Sequence, residues 1–351
     1  MLLSEHINSK VDNTLIRLIL SLWTLVFLTG CSNQKNEEIV ITGFTMGTTY
    51  SVKLIVPEDI QIDPPLLKAN IDKALINVNA LMSTYDPNSE LSRLNQTTAN
   101  SPFAISEQTE IVLREAIRLG KLSNGVLDVT VGPLVNLWGF GPDKKPEQTP
   151  SPAALLNIRE YVGIDKFVLD NRVVTKLHDK VYIDLSTIAK GYGVDVVADI
   201  LQASGIEAYL VEIGGEMRLK GKKLNGKDWR IAIEKPITTE RAIQRLISIG
   251  DNAIATSGDY RNYYEHDGQR YSHLINPNTG YPIVHNLVSV SVVHPSSMVA
   301  DGLATALIVM GFDAAKELVE AQGIAVLMIT KEAEGFVEYQ SPEFAKQVTI
   351  Y

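Results

Sequence analysis

The sequence has almost no cysteine and no excess of basic residues. Its 351 residues include one cysteine, Cys31, which excludes an intrachain disulfide and a zinc site built from cysteines. The 32 lysines and arginines are outnumbered by 41 aspartates and glutamates, so the net charge is −9. Because binding to a phosphate backbone depends on clustered Lys and Arg, no nucleic acid partner is expected.

Motifs of several common enzyme classes are missing as well. The histidines form no H-E-x-x-H metal pattern, and no G-x-S-x-G serine elbow occurs. The composition itself is that of an ordinary globular protein, with 45% hydrophobic and 21% charged residues. A chain of this length buries about three-quarters of its surface on folding, which is enough for a large core.

An apolar run, residues 18–28, lies near the N-terminus. It is shorter than the about 20 residues that a membrane-spanning helix needs. Lys10 and Arg17 precede it, and this order of basic, apolar and small residues is typical of a secretory signal. The tetrapeptide LTGC that ends at Cys31 resembles a bacterial lipobox, in which the cysteine is lipidated. The alternative is an apolar N-terminal helix with a chance cysteine.

We therefore predict three parts of the chain. Residues 1–30 form a lipoprotein signal peptide, residues 31–40 contain the lipidated Cys31 and a tether, and residues 41–351 form one large compact catalytic domain. The acyl chains would anchor the protein to a membrane. The expected location is the periplasmic side of a bacterial membrane, with the inner membrane favoured.

Helices and strands are mixed along the predicted domain. Helical spacing and capping residues predict helices over residues 66–82, 106–122, 187–203 and 298–310. Alternating or apolar runs predict strands over residues 39–41, 49–56, 181–185, 207–213 and 287–293, with a hairpin over residues 167–176. Residues 83–95 are predicted to be a loop, and the proline-rich residues 141–152 a surface insertion. Hairpin signals at Asn225–Gly226 and Asp267–Gly268 imply antiparallel pairing, so we predict an α+β fold of mixed, mainly antiparallel sheets with packed helices.

Three residues that suit phosphate or metal chemistry follow at intervals of three. They are Asp184, Thr187 and Lys190, and on the first turns of a helix they would share a face. A carboxylate, a hydroxyl and an ammonium group at a helix N-terminus suit a phosphate or a magnesium-nucleotide. The segment matches neither the P-loop pattern nor G-x-G-x-x-G, and a capped helix with a solvated lysine is the alternative.

Two further candidates lie towards the C-terminus. Asp301 and Thr305 are one helical turn apart, and hard oxygen ligands of this kind suit Mg²⁺. The alternative is Asp301 as a helix N-cap with Thr305 facing the interior. His273 precedes a proline-containing turn, where it is either a general base or a partly buried hydrogen-bonding residue.

Taken together, eight segments resemble the ApbE-like flavin transferases over about residues 43–339. The segments are MGTTYSVK (46–53), MSTYDPNSELSRLN (82–95), GVLDVTVGPLVNLWGFG (125–141), DLSTIAKGYGVD (184–195), EIGGE (212–216), ATSGDYRNYY (255–264), HLINPNTGYP (273–282) and ADGLATAL (300–307). Eight matches in the family's order, with a lipobox before them, are more specific than any one segment. The resemblance implies an ApbE or T-fold-like architecture.

The same resemblance implies an activity and its residues. Enzymes of this family cleave FAD and join its FMN part to a threonine of a protein acceptor through a phosphoester, releasing AMP. Mg²⁺ would be held by Thr187, Asp301 and Thr305, and the catalytic residues would be Asp301 and His273, the latter deprotonating the threonine. The implied FAD contacts are Met46, Tyr85, Val126, Leu127, Asp128, Asp184, Lys190 and Ile275, with residues 126–128 as a strand.

The implied acceptors are flavoprotein subunits of the sodium-pumping NADH:quinone reductase and of the Rnf-type membrane complex. Two alternatives stay open. One is an FAD pyrophosphatase, in which water replaces threonine and FMN and AMP are released. The other is a lipoprotein that binds FAD without chemistry. Tyr85 lies in a motif that varies within the family, which leaves the balance of transfer and hydrolysis open.

Overall fold

The computed structural model describes residues 36–141, 149–237, 242–259, 263–266 and 269–351. The predicted signal peptide, Cys31, part of the proline-rich insertion and the Asp267–Gly268 turn lie outside these residues. Within the described ranges, no helix combines the length and the hydropathy needed to span a bilayer.

The helices and strands are numbered in chain order. The helices are α1 (Pro64–Met82), α2 (Glu90–Asn95), α3 (Glu107–Leu122), α4 (Gly132–Leu137), α5 (Pro152–Arg159), α6 (Ala189–Ala203), α7 (Ser297–Met310), α8 (Phe312–Gln322) and α9 (Pro342–Gln347). The strands are β1 (Glu37–Thr45), β2 (Thr48–Val56), β3 (Pro102–Ala104), β4 (Phe167–Asp170), β5 (Val173–Lys176), β6 (Ala208–Ile213), β7 (Glu216–Lys220), β8 (Ile231–Glu234), β9 (Ile243–Ser248), β10 (Ala253–Gly258), β11 (Tyr263–His266), β12 (Gln269–Ser272), β13 (Ile275–Asn276), β14 (Tyr281–Pro282), β15 (Leu287–His294), β16 (Ala325–Glu332), β17 (Gly335–Gln340) and β18 (Thr349–Ile350).

An eight-stranded sheet organises the domain. Its strand order is β1-β2-β6-β7-β10-β15-β16-β17, and each neighbouring pair is antiparallel. Two three-stranded sheets, β18-β9-β8 and β3-β5-β4, and two short hairpins complete the strands. The α+β prediction with mainly antiparallel sheets is confirmed.

Both faces of this sheet are covered. On one face, α3 and α7 pack in the largest core, and α1 and α6 pack in a second core against β1, β2 and β6. On the opposite face, β8, β9 and α9 form a third core. Successive residues of β15 show this arrangement, since Val292 faces the first core and Val293 faces the third. The sheet therefore forms the central layer of the domain.

The main helices form where local signals agree. In α1, the Asp63 side chain accepts a hydrogen bond from the Leu66 N–H, and the buried residues recur at helical spacing. The Ser106 and Ser296 side chains cap α3 and α7 in the same way. The predicted hairpin over residues 167–176 is present as β4 and β5.

Several predictions of local structure were wrong. Residues 90–95 are the short helix α2, capped by Ser89, instead of a loop. Residues 181–185 form no strand, because the Asn95 side chain bonds both the N–H and the C=O of Ile183 at 2.7 and 2.8 Å. Residues 126–128 form no regular secondary structure instead of a strand, and β1 begins at Glu37, inside the predicted tether.

Candidate functional site

A cavity of about 630 Å³ opens between the central sheet, α7 and the start of α6. It receives side chains from segments that are far apart in sequence, including residues 84–85, 126–141, 182–190, 256–258, 273–275 and 301–309. The predicted site residues that line it are Tyr85, Val126, Leu127, Asp128, Asp184, Thr187, Lys190, His273, Ile275, Asp301 and Thr305. The folded chain thus brings together all but one of the predicted catalytic, metal and FAD-binding residues.

The exception, Met46, lines an adjoining cavity of about 560 Å³. Tyr85, Asp184 and Lys190 line both cavities, so the two form one continuous space. Met46 sits in the β1–β2 turn at φ 49°, followed by Gly47 at φ 70°. This left-handed pair forms the two-residue turn that joins the strands of the hairpin.

One lysine and two carboxylates lie at the centre of the larger cavity. The Lys190 Nζ is 3.3 Å from Glu216 Oε1 and 3.7 Å from Asp301 Oδ2. Asp301 is 3% and Glu216 5% exposed, so both carboxylates are buried. With all three groups ionised, the cluster carries one net negative charge. A ligand that binds together with a cation would compensate this charge.

The pKa values of these groups reflect burial and mutual attraction. Burial raises the pKa of Glu216 above its usual value, and the attraction of Lys190 opposes that rise. Burial also raises the pKa of Asp301 above its usual value. For Lys190, burial acts to lower the pKa, but the two carboxylates raise it well above the usual value. The lysine is therefore a permanent cation at neutral pH.

The helix α7 is fixed against α6 at the point where the cluster forms. The Gly191 N–H donates to Asp301 Oδ2 at 3.0 Å. A Cβ on Gly191 would lie 2.3 Å from the Ser297 carbonyl oxygen, so only glycine permits this approach of the two helices. Asp195 accepts hydrogen bonds from the Ser297 and Met298 N–H groups, both at 3.0 Å, and caps α7 from outside.

The oxygen atoms near Asp301 suit a hard divalent cation. Thr305 lies one turn further along α7, and its hydroxyl is 3.2 Å from the Ser257 hydroxyl. The Thr187 hydroxyl oxygen is buried and has no hydrogen-bond partner among the described residues. A carboxylate and two hydroxyls are a partial ligand set of the kind that Mg²⁺ completes with water and phosphate oxygens. No group of three or more His, Cys, Asp or Glu side chains suited to a metal is found in the part of the chain that the structure describes.

The predicted shared helix face was wrong. The helix α6 begins at Ala189, so Asp184 and Thr187 lie before it in an extended segment and a turn. The Asp184 side chain accepts the Ser186 N–H at 2.8 Å, and its own N–H donates to the Val129 carbonyl at 2.7 Å. The three side chains reach one cavity through this bend instead of through helical spacing.

The remaining predicted contacts occupy the cavity walls. Leu127 and Ile275 are buried, while Tyr85 is 85% exposed. Asp128 is buried, and it accepts both the N–H and the hydroxyl of Thr130 at 2.7 Å. Burial raises the pKa of Asp128, and the hydrogen bonds from Thr130 oppose that rise. The Asp128 carboxylate therefore already forms hydrogen bonds that stabilise the turn containing it.

His273 lines the cavity in the connection between β12 and β13. Its ring meets the edge of Phe140, with ring centroids 6.4 Å apart. The predicted base is therefore on the same cavity as Lys190 and Asp301.

Sequence reasoning assigned no role to Glu216. It follows Gly214 and Gly215, which have φ angles of 61° and 110°, and it begins β7 as a buried acid. The segment EIGGE belonged to the resemblance, and an acid after two glycines is a weak signal. Only the fold shows that this carboxylate faces Lys190.

Known proteins resemble this chain over most of its length. The model of the ApbE family matches residues 46–328. A curated FAD:protein FMN transferase from Vibrio cholerae is 53% identical over 326 residues, which cover 93% of this chain and 97% of that protein. Its counterpart from Haemophilus influenzae is 49% identical over 320 residues, covering 89% of this chain and 92% of that protein.

Solved structures lead to the same family. The flavin transferase ApbE from Vibrio cholerae superimposes with a TM-score of 0.82 at 52% identity, covering 89% of this chain and 99% of that one. The apo form of the Pseudomonas stutzeri flavinyl transferase ApbE gives a TM-score of 0.82 at 36% identity, covering 89% and 97%. The chain therefore belongs to the ApbE family of flavin transferases.

Proposed function

We propose that this protein transfers the FMN part of FAD to a threonine of a protein acceptor, in a reaction that requires Mg²⁺. The threonine oxygen forms a bond to the phosphorus of the FMN half. The bond from that phosphorus to the oxygen of the AMP half breaks, and AMP leaves. The observation that carries the proposal is the convergence of Lys190, Asp301 and Thr305 in the cavity that also holds the predicted flavin contacts.

The protein's own groups supply binding and charge. Lys190 gives a fixed positive charge for the diphosphate, since its pKa is raised by Asp301 and Glu216 against the effect of burial. Thr187, Asp301 and Thr305 would hold Mg²⁺. When bound, Mg²⁺ would orient the diphosphate and stabilise the negative charge that develops on AMP. His273 is the proposed acceptor of the threonine proton.

The direct test uses the full chain with FAD, Mg²⁺ and a flavoprotein domain that contains a candidate threonine. We expect the acceptor to gain the mass of one FMN in phosphoester linkage, with one AMP released per transfer. EDTA should abolish the gain, and an acceptor with that threonine replaced by alanine is the matched control.

Other outcomes would contradict the proposal in distinct ways. Release of FMN and AMP at the same rate with and without acceptor would identify an FAD pyrophosphatase. FAD that stays intact with every acceptor would identify a binding protein.

The proposed acceptors are the periplasm-facing flavoprotein subunits of the sodium-pumping NADH:quinone reductase and the Rnf-type complex. The family resemblance supports this choice. Cells that lack this protein should lose the covalent flavin fluorescence of those subunits after denaturing electrophoresis. Fluorescent subunits in such cells would rule out these acceptors.

We also propose that Cys31 carries the lipid anchor, on the inner membrane. The lipobox-like LTGC and the apolar run before it support this proposal. Cys31→Ser should abolish incorporation of labelled palmitate and move the protein from the membrane to the soluble fraction. Ser32→Ala, one residue later, is the control and should leave both unchanged. A membrane-bound, unlabelled Cys31→Ser protein would contradict lipidation as the anchor.

A further inference from the structure

The buried acid Glu216 has an unusual position for a residue outside the predicted ligand set. It is 5% exposed, it begins β7, and it pairs with Ile213 across the Gly214–Gly215 turn. That turn places its side chain in the same cavity as Asp301. Its Oε2 atom is buried without a hydrogen-bond partner among the described residues. Burying a carboxylate in this way costs free energy unless a cation pairs with it. The position of Glu216 therefore depends on its partner.

That partner is Lys190. The Nζ atom lies 3.3 Å from Glu216 Oε1 but 3.7 Å from Asp301 Oδ2. The lysine is thus closer to Glu216 than to the proposed metal ligand. A divalent cation and an ammonium group repel each other and compete for one carboxylate. If Lys190 paired with Asp301 alone, a cation would have to displace it.

We propose that Glu216 is a positioning residue that draws the Lys190 ammonium away from Asp301 and leaves that carboxylate open to a divalent cation. This inference rests on the proposed function. Glu216 thereby allows two positive charges, the lysine and the metal, to occupy one small cavity. It acts through Lys190, and the cation itself is left to Thr187, Asp301 and Thr305.

The test separates the positioning of Lys190 by Glu216 from a direct effect of the Glu216 charge on the bound cation. Binding of Mn²⁺ to the full chain is measured by electron paramagnetic resonance in wild type, Glu216→Gln, Lys190→Met and the double variant. Glu216→Gln should weaken Mn²⁺ binding about tenfold, the lower end of the loss caused by removing a partner behind a metal ligand. In the Lys190→Met background the same change should weaken it less than about threefold, because no lysine remains to be held.

Glu212→Gln is the matched control. Glu212 belongs to the same EIGGE segment, and its carboxylate accepts the Gly215 N–H at 2.7 Å. This variant should bind Mn²⁺ as wild type does. Glu216→Asp, which keeps the charge, should recover part of the affinity lost in Glu216→Gln.

Equal losses from Glu216→Gln in both backgrounds would overturn the inference, because they would show an effect of charge that does not pass through Lys190. Unchanged binding in Glu216→Gln would overturn it as well. Absence of Mn²⁺ binding by wild type would overturn the metal site of the proposed function itself. Thermal unfolding of each variant separates loss of binding from loss of folding. A crystal structure of Glu216→Gln should show Lys190 closer to Asp301 than 3.7 Å.

Discussion

Asp301→Asn is expected to lower the rate of FMN transfer at least about 100-fold, as the loss of one charge-stabilising group in a reaction site does. The carboxylate is buried beside Lys190 and is the negatively charged member of the proposed metal ligands. Asparagine keeps the shape and an oxygen for the Gly191 N–H, so the fold is preserved. The rate of FMN gain by the acceptor, at saturating FAD and over a range of Mg²⁺ concentrations, is the measurement.

Asp313→Asn is the matched control for this variant. Asp313 is exposed in the first turn of α8, the helix after α7, and it does not line the cavity. The control should transfer FMN at the wild-type rate. Full activity of Asp301→Asn would show that this carboxylate is not needed, and the assignment of the metal site would then be wrong.

The second large effect concerns stability. Asp195→Ala should lower the free energy of unfolding by about 3 kcal/mol, the size expected when a partly buried, multiply bonded charge is removed. The Asp195 carboxylate accepts hydrogen bonds from the Ser296 hydroxyl at 2.6 Å and from the Ser297 and Met298 N–H groups. It also pairs with Arg218 at 3.0 Å. Removing it leaves the Ser297 and Met298 N–H groups without this acceptor, and Arg218 keeps only the longer contact with Asp199.

Asp199→Ala provides a close comparison in the same helix. Asp199 also contacts Arg218, at 3.3 Å, but its side chain is 70% exposed. Its replacement should change stability by less than about 0.5 kcal/mol, as is usual for an exposed ion pair. Urea unfolding followed by circular dichroism measures both variants. Similar midpoints for the two would show that the capping of α7 contributes little to stability.

The helices and strands that were predicted correctly are specified by residues within them or directly beside them. Capping residues and regular apolar spacing predict α1, α3 and α7, because those signals lie within or beside the segment that folds. The antiparallel arrangement was predicted from hairpin signals and alternating strands, but β7 and β8, which flank Asn225–Gly226, lie in different sheets. Residue type and spacing, together with the family resemblance, supplied twelve cavity residues, and eleven of them line the larger cavity, with Met46 in the adjoining one.

What sequence reasoning missed depends on distant partners. Residues 181–185 have the apolar pattern of a buried strand, but Asn95, 88 residues before Ile183, satisfies the backbone groups of that residue. The apolar pattern predicts that the segment is buried, but it does not predict which residue forms hydrogen bonds with its backbone. The pairing of Glu216 with Lys190 likewise arises only when β7 and α6 are packed. No local rule relates these positions.

The cavity described above draws its walls from residues between Thr84 and Val309. It exists only when segments more than two hundred positions apart have met, so no short fragment of the chain contains it. FAD that bound there, as proposed, would stabilise the whole domain. At a free concentration 100 times its dissociation constant, it would add about 2.7 kcal/mol to the free energy of unfolding. An incomplete chain gains none of this stabilisation, which makes flavin binding a reporter of complete folding.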